Sequence, residues 1–346
     1  MAEQPEKSDK NQYHTVGNYA LMIARVLEEY GHNPEPFFRE EGIELSKLDD
    51  VNFRLSEIQL TRLWKMAVRV TGNVTIGIEA GTKVTPTSFH ALSMSLYLCS
   101  DIKSGLERFL RYTIIFTTSA SGTLTKRAKD YIFEIDNPLS LNGEQVVCNE
   151  SIDAFLAAFI TICRSRCGQS YRLEKAEFTR EKPDDCEIYQ RFLDCPLVFG
   201  SDKCRFYFSH DSLETPITTG NTELFELTEQ AIRTSMNQLN EDQILAKIRR
   251  SLKDLLPSGE YKIDDVALCL NMSSRALQRK LQDIGLSYRE LVDDYRRELA
   301  ITYIRQPDMS QGEISFQLGF SATSNFSRAF KNWTGVAPGQ YQESVS

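Results

Sequence analysis

Apolar positions recur at helical intervals through most of this chain and alternate only in short stretches. Residues 17–30 place Tyr19, Ile23, Val26, Leu27 and Tyr30 on one stripe, which Gly31 and Pro34 terminate. Ser56–Glu57–Ile58–Gln59 has the form of a capping box, in which the serine hydroxyl accepts from an orphan amide and the glutamine reaches back. The helix it opens runs through Leu60, Leu63, Trp64 and Ala67. Further helices are predicted at 88–98 and 103–109. Residues 124–126 and 131–135 alternate like the arms of a hairpin around a polar turn at 128–130. Residues 151–166 are apolar enough to form the central helix of a core, and 172–178 and 204–208 read as strands. These elements predict an α+β domain over 15–220, preceded by a polar, disordered segment at 1–14. A helix at 223–239 carries Leu224, Leu227, Ala231 and Met236 near one face. That stripe serves either to pack on its own domain or to pair with another. From 241 onward the pattern changes to short capped helices, beginning with 243–256, which Pro257–Ser258–Gly259 stops.

Within this last third one unit occurs twice. Val266, Ala267, Leu270, Asn271, Met272 and Ser273 match Ile314, Ser315, Leu318, Gly319, Phe320 and Ser321. With one residue inserted, Leu277, Arg279 and Leu281 match Phe326, Arg328 and Phe330. With one more, Gly285 matches Gly335. In each copy a small residue (Ala267, Ser315) lets a second helix cross closely. Asn271 or Gly319 then tolerates a left-handed backbone. A serine, Ser273 or Ser321, is placed to cap the second helix. Inward residues follow at i and i+4, and the closing glycine is backed by Leu286 or Val336. This is the layout of a helix-turn-helix, whose second helix enters the DNA major groove.

The outward face of the first copy bears Ser274, Arg275, Gln278, Arg279 and Lys280. That of the second bears Thr323, Ser324, Asn325, Ser327, Arg328 and Lys331. Arginine pairs bidentately with guanine, and asparagine or glutamine with adenine, whereas lysine and serine meet phosphate more often. Either face alone is equally a solvated helix surface; the matched pair points to DNA. Ser287–Glu290 and Ser310–Glu313 are two more capping boxes, and the first opens a long connecting helix with Leu291, Tyr295 and Leu299 in register. Such a helix would hold the two recognition helices about one duplex turn, 34 Å, apart.

Net charge is −8, with 40 basic and 48 acidic side chains. Residues 241–346 hold 14 of each, which leaves 26 basic and 34 acidic in residues 1–240. The acid is therefore confined to the first two-thirds and does not oppose DNA binding by the last third. The longest apolar run, 154–163, is too short to span a bilayer, and the N-terminus lacks a signal-peptide layout, so a cytoplasmic protein is expected. The 8 cysteines contain no CxxC pair and suit reduced, buried thiols. The 4 histidines, His14, His32, His90 and His210, show no metal-ligand or nucleophile spacing, and His90 reads as a core or rim residue. No catalytic site, metal or cofactor is expected.

Residues 245–343 resemble the DNA-binding domain of AraC/XylS-type transcriptional regulators: GEISFQLGFSATSNFSRAFKNWTGVAPGQY is similar to that family's signature, and RALQRKLQDIGLSYREL to its first half. Ser315 and Asn271 replace the family's usual alanine and glycine. Residues 15–220 look like the arabinose-binding-like N-terminal domain of one branch, on the stretch SFHALSMSLYLCSDIKSGLERFLRY. The resemblance implies an α+β sensor domain (15–220), a linking helix (221–240) and an all-α domain (241–346) with two helix-turn-helix units joined by a long helix. It implies base reading by Arg275, Gln278, Arg279, Thr323, Ser324, Asn325 and Arg328. It also implies promoter DNA, RNA polymerase, a small-molecule effector and a second copy of the chain as partners. The alternatives are a switch thrown by a protein partner or by oxidation at Cys163 and Cys167 and, more distantly, an enzyme domain fused to a DNA-binding module.

Overall fold

The computed structural model describes residues 13–50, 52–140, 143–184, 186–306 and 309–345. Most of the expected disordered segment thus lies outside the described residues, while His14 already belongs to a strand. The chain divides into two compact units, residues 1–236 and 237–346.

In the first unit, strands β1 (His14–Val16) and β2 (Arg54–Ser56) pair antiparallel. A second sheet takes β3 (Ser121–Lys126), β4 (Asp130–Asp136), β5 (Lys175–Phe178), β6 (Leu197–Phe199) and β7 (Cys204–Ser209) in the order β3-β4-β7-β5-β6. Only β5 and β6 run parallel within it. The pleat sorts its side chains by face. Tyr131, Phe133, Ile135, Phe206 and Phe208 are buried, whereas Glu134 and Arg205 pair opposite one another on the other side.

Helices α1 (Leu21–Glu29), α2 (Glu35–Glu40), α3 (Glu57–Thr71), α4 (Ile76–Gly81), α5 (Ala91–Leu98), α6 (Ile102–Arg111) and α7 (Thr113–Phe116) precede or enter the sheet. Helix α8 (Asn149–Cys167) is the expected central helix, buried from Ile152 to Cys163 on nearly every turn, with Phe159 edge-on to Phe208 at 5.9 Å. Helix α4 crosses it closely. A Cβ on Gly77 would lie 2.3 Å from the Glu150 carbonyl, and one on Gly81 2.4 Å from that of Ala154, so both positions require glycine. Helices α9 (Glu187–Leu193) and α10 (His210–Glu214) complete the unit. The Ser56 capping box forms as expected.

The helices expected at 223–239 and 243–256 are one helix, α11 (Thr222–Leu255). No separate linking helix stands at 221–240, because the junction at Asn240 carries no residue that breaks a helix. Of the stripe at 224, 227, 231 and 236, Met236 packs against the first core. Phe225, Thr228 and Ile232 face the first unit, leaving Leu224 45% and Leu227 55% exposed.

The second unit is all-helical: α12 (Ile263–Cys269), α13 (Ser274–Asp283), α14 (Tyr288–Ile304), α15 (Gln311–Gln317), α16 (Thr323–Thr334) and α17 (Pro338–Val345). Two small cores are strung along α14. Its Leu291 and Val292 join Ile248, Leu252, Val266, Leu277 and Leu281; its Ala300 and Ile304 join Ile314, Leu318, Phe326 and Phe330. Among the described residues, no helix is long and apolar enough to cross a membrane.

Candidate nucleic-acid interface and interior cavity

Each repeat folds as its sequence dictates. In the first, Ala267 is buried at the crossing of α12 and α13, Asn271 takes φ 52°, and the Met272 amide closes the turn on the Ala267 carbonyl at 2.9 Å. Ser273 caps α13 by accepting from the Ala276 amide at 3.2 Å. Past its end, the Gly285 and Leu286 amides return to the Gln282 and Leu281 carbonyls. In the second, Ser315 takes the place of Ala267, and the Phe320 amide closes on the Ser315 carbonyl at 3.0 Å. Gly319 adopts φ +70°, and a Cβ there would meet the Leu256 carbonyl at 2.4 Å, so glycine is required twice over. The cap of α16 departs from expectation. Ala322 occupies the N-cap, and Ser321, displaced by the one-residue insertion, accepts instead from the Asn325 side-chain amide at 3.2 Å.

The candidate contact residues fall on two outward faces. Arg275, Gln278 and Arg279 stand at i, i+3 and i+4 of α13, all exposed, with exposed Lys280 flanking them. On α16, Ser324, Arg328 and Lys331 stand at i, i+4 and i+7, with Thr323 and Asn325 beside them, again exposed. Among the described residues, none of the five cations on these faces is in an ion pair, so their charge is available to an anion. Three candidates are already engaged, Asn325 through its side-chain amide bond to Ser321 and two serines besides. The Ser274 hydroxyl donates to the Asp264 carboxylate, and that of Ser327 to the Thr323 carbonyl at 3.0 Å.

The residue that unites the two halves escapes a hydropathy reading. Of the row expected on α14, Leu291 is buried and Tyr295 and Leu299 pack against the two cores, and beside it a second row, Val292, Arg296, Ala300 and Ile304, is buried as well. Arg296 is 8% exposed. Its Nε donates to the Leu318 carbonyl at 2.9 Å and its Nη2 to that of Gly319 at 3.0 Å. Its guanidinium lies between the rings of Tyr261, 4.3 Å away, and Phe320, 4.5 Å away. One side chain therefore satisfies the carbonyls that end α15 and ties the second turn to the first repeat. A second arginine missed by sequence, Arg108 on α6, anchors the start of α11. It stacks 3.4 Å from the Phe225 centroid and pairs with Glu226 and Glu229.

The first unit contains a cavity of about 60 Å³ between α3, α6, α8 and the β3–β4 hairpin. One water needs about 10–15 Å³ on this measure, so the space exceeds a single solvent site. Phe109, Phe116, Phe133 and Phe155 form most of the wall, and Thr15, Glu57, Thr117 and Ser151 form a polar patch. Glu57 is fully buried, and its Oε2 accepts from the Ser119 hydroxyl at 2.6 Å and from that of Thr15 at 3.4 Å. Tyr19 donates to the Ser151 carbonyl at 2.6 Å, and burial pushes its hydroxyl far above the ordinary tyrosine range, so it stays neutral. His90 bonds Asn18 at 3.2 Å, and burial lowers its pKa, which fits a core-rim residue. All eight cysteines are free thiols, and burial pushes those of Cys163 and Cys167 up.

Residues 31–217 match the family described as the arabinose-binding domain of AraC transcription regulators, and residues 266–344 match a helix-turn-helix domain. The ornithine utilization regulator of Pseudomonas aeruginosa is 23% identical over 94% of this chain and 95% of its own. The regulator VqsM of the same organism is 22% identical over 78% and 83%. The crystal structure of the regulator CdpR, also from P. aeruginosa, aligns over 94% of this chain and 98% of its own at 18% identity, with a TM-score of 0.47. With the family match covering more than half its length and the helix-turn-helix match lying on the doubled unit, the chain belongs to the AraC family of DNA-binding transcriptional regulators.

Proposed function

We propose that this regulator reads two successive major grooves with α13 and α16 and that a small molecule held by its first unit sets how it does so. The observation that carries the reading is the pair of matched helices, each presenting exposed cations outside an ion pair. Arg275, Gln278, Arg279, Thr323, Ser324, Asn325 and Arg328 are assigned to base edges, and Lys280 and Lys331 to phosphate. Ser274 and Ser327 would have to give up their internal bonds to donate to phosphate, and Asn325 its bond to Ser321 to donate to a base edge, so contacts rest first on the other candidates. A DNA fragment selected from a random pool by the full chain should show two protected grooves on one face. Arg279→Ala and Arg328→Ala should each weaken its binding by about 1–3 kcal/mol. Unchanged affinity in both variants would dismiss these recognition helices.

The first unit is read as a sensor because of its interior cavity. Its largely phenyl and aliphatic wall suits a compact apolar molecule better than a polyhydroxylated sugar. An effector acts only by binding one state of the chain more tightly than another. Thermal-shift screening with amino acids, polyamines, fatty acids and aromatic acids, followed by DNA titration with each hit, tests this. The exposed Leu224, Leu227 and Ala231 on α11 are assigned to self-association of two copies. RNA polymerase is the proposed partner at the promoter. Oxidation at Cys163 and Cys167 is the weaker reading, because thiols raised by burial are poor nucleophiles.

A further inference from the structure

The cavity of the first unit is small for the molecule that its wall suits. It measures about 60 Å³, whereas a cavity that takes a benzene ring measures about 150 Å³. A ring enters only if the wall yields. The polar groups of the wall are bonded within the protein. The Thr15 and Thr117 hydroxyls stand 2.8 Å apart, the Ser119 hydroxyl donates to Glu57 at 2.6 Å, and the Ser151 hydroxyl donates to that of Tyr19 at 3.3 Å. A charged molecule would lose its hydration against the phenyl rings, which favours an uncharged one.

One side chain behind the wall is placed to give way. Phe89 does not line the cavity but packs against four rings that do, Phe116 at 5.0 Å, Tyr19 at 6.0 Å, Phe109 at 6.1 Å and Phe155 at 6.4 Å. The turn that carries it is strained. The Leu92 amide closes on the Phe89 carbonyl at 3.2 Å. His90, second in that turn, takes φ 52° and ψ −137°, where glycine is the usual residue. Such strain persists only where surrounding bonds impose it. The buried Ser93 hydroxyl accepts from the Phe89 amide at 3.0 Å and donates to the Pro86 carbonyl at 2.8 Å. The Asn18 side-chain amide donates to the Thr87 carbonyl at 2.7 Å and to His90 Nδ1 at 3.2 Å. Among the described residues, the buried Asn18 Oδ1 and His90 Nε2 find no hydrogen-bond partner, which raises the energy of this arrangement further.

Resting on the sensor reading above, we infer that residues 86–93 form a latch and that the effector is an uncharged molecule with one ring, which Phe89 admits by withdrawing. Latched, the turn keeps Phe89 among the four rings. Released, it sheds the strain at His90 and lets the rings part. A ligand that binds only the open state is weakened by that state's scarcity, so its affinity reports how readily the latch opens.

The full chain is titrated with benzyl alcohol, and with benzylamine and benzoate as charged forms of the same ring, by thermal shift and calorimetry. Benzyl alcohol should raise the Tm saturably, and the charged forms should not. His90→Gly removes the strain that favours opening and should weaken benzyl alcohol binding at least about 5-fold, the factor for the lower end of such strain. Phe89→Leu keeps the turn and frees space behind the rings, and should tighten binding by a similar factor. A turn with a structural role alone would not move affinity in opposite directions, and each variant stands as a test if the other fails to fold.

Charged forms that bind as well as the alcohol, benzyl alcohol that fails to bind, or an affinity that does not move in the stated direction in a folded variant would overturn the assignment. A charged molecule that alters DNA affinity and whose binding Phe89→Leu leaves unchanged would overturn the latch and keep the sensor. Benzyl alcohol binding with both expected shifts and DNA affinity unmoved would keep the latch and overturn the sensor.

Discussion

Replacing Arg296 by methionine isolates what holds the two helix-turn-helix repeats in one body. Methionine keeps the apolar stem and removes the fork. The Leu318 and Gly319 carbonyls then lose donors at 2.9 and 3.0 Å, at the end of a helix and away from water. Hydrogen bonds to a charged group contribute about 1.5–3 kcal/mol each. The stacking of the guanidinium on Tyr261 and Phe320 adds about 0.5–2 kcal/mol per ring. These terms share one side chain and do not add in full, which gives a net loss of about 3–5 kcal/mol. Arg296→Lys should recover less than half, since one ammonium cannot serve both carbonyls and lie flat between two rings. The reporter is Trp333, 6.1 Å from Phe320 and one of two tryptophans. In a Trp64→Phe background its fluorescence follows the second unit alone through a urea titration. The expected result is an early Trp333 transition with DNA binding lost at concentrations where the first unit remains folded. A loss below about 1 kcal/mol would place Arg296 among buried ions that an apolar residue replaces at no cost, and the reasoning would fail.

Three further perturbations test other parts of the fold. Gly81→Ala forces a methyl to within 2.5 Å of the Ala157 Cβ and should destabilise the first unit by about 1–3 kcal/mol, read from Trp64 fluorescence. Leu227→Glu puts a charge into the exposed stripe of α11, 55% exposed, and should shift sedimentation toward the monomer without lowering the Tm; an unchanged profile would remove that stripe from self-association. Glu290 and Glu313 are held below the ordinary carboxylate range, first by the Ser287 and Ser310 hydroxyls and then by those residues' amides. A depressed folded-state pKa stabilises above the unfolded value of about 4.5 and is lost as pH falls through the folded one. The Trp333 midpoint should therefore drop on acidification below that value, and the double variant Glu290→Gln, Glu313→Gln should flatten the drop.

What the sequence makes legible is what a segment does with its own backbone. Three capping boxes form where a serine precedes a glutamate or glutamine by three residues, because each bond closes within one turn. The left-handed turns at Asn271 and Gly319 are likewise local, set by the residue types that tolerate φ of 52° and 70°. The failures begin where a partner lies far along the chain. Strands β1, β2 and β6 are three residues each and carry no period, so only pairing defines them. On α11 the stripe at 224 and 227 left packing and pairing open, and Phe225 and Ile232 take the inner face because Arg108, more than a hundred residues earlier, seats the first turns. The Ser321 cap failed for a smaller reason, since one inserted residue moves a capping side chain past its amide.

The two charges that matter most were hidden by rules that usually hold. A glutamate at the first turn of a helix is favoured by the dipole, so Glu57 reads as a surface residue of its capping box. Strand β2 instead carries it straight under β1 and the β3–β4 hairpin, where it is fully buried. An arginine amid a connecting helix reads as solvated, yet Arg296 sits in register with Val292, Ala300 and Ile304, four residues apart each time. That register was present in the sequence. A charge that interrupts an otherwise apolar i, i+4 row is either a flaw in the stripe or a buried group with a task, and the backbone carbonyls facing Arg296 decide for the task. Glu57 offers no such row, because its burial comes from strand pairing and not from helical period. A search of helical registers for interrupting charges therefore finds the clamp of the second unit and misses the buried carboxylate of the first, which only the three-dimensional fold brings to the cavity wall.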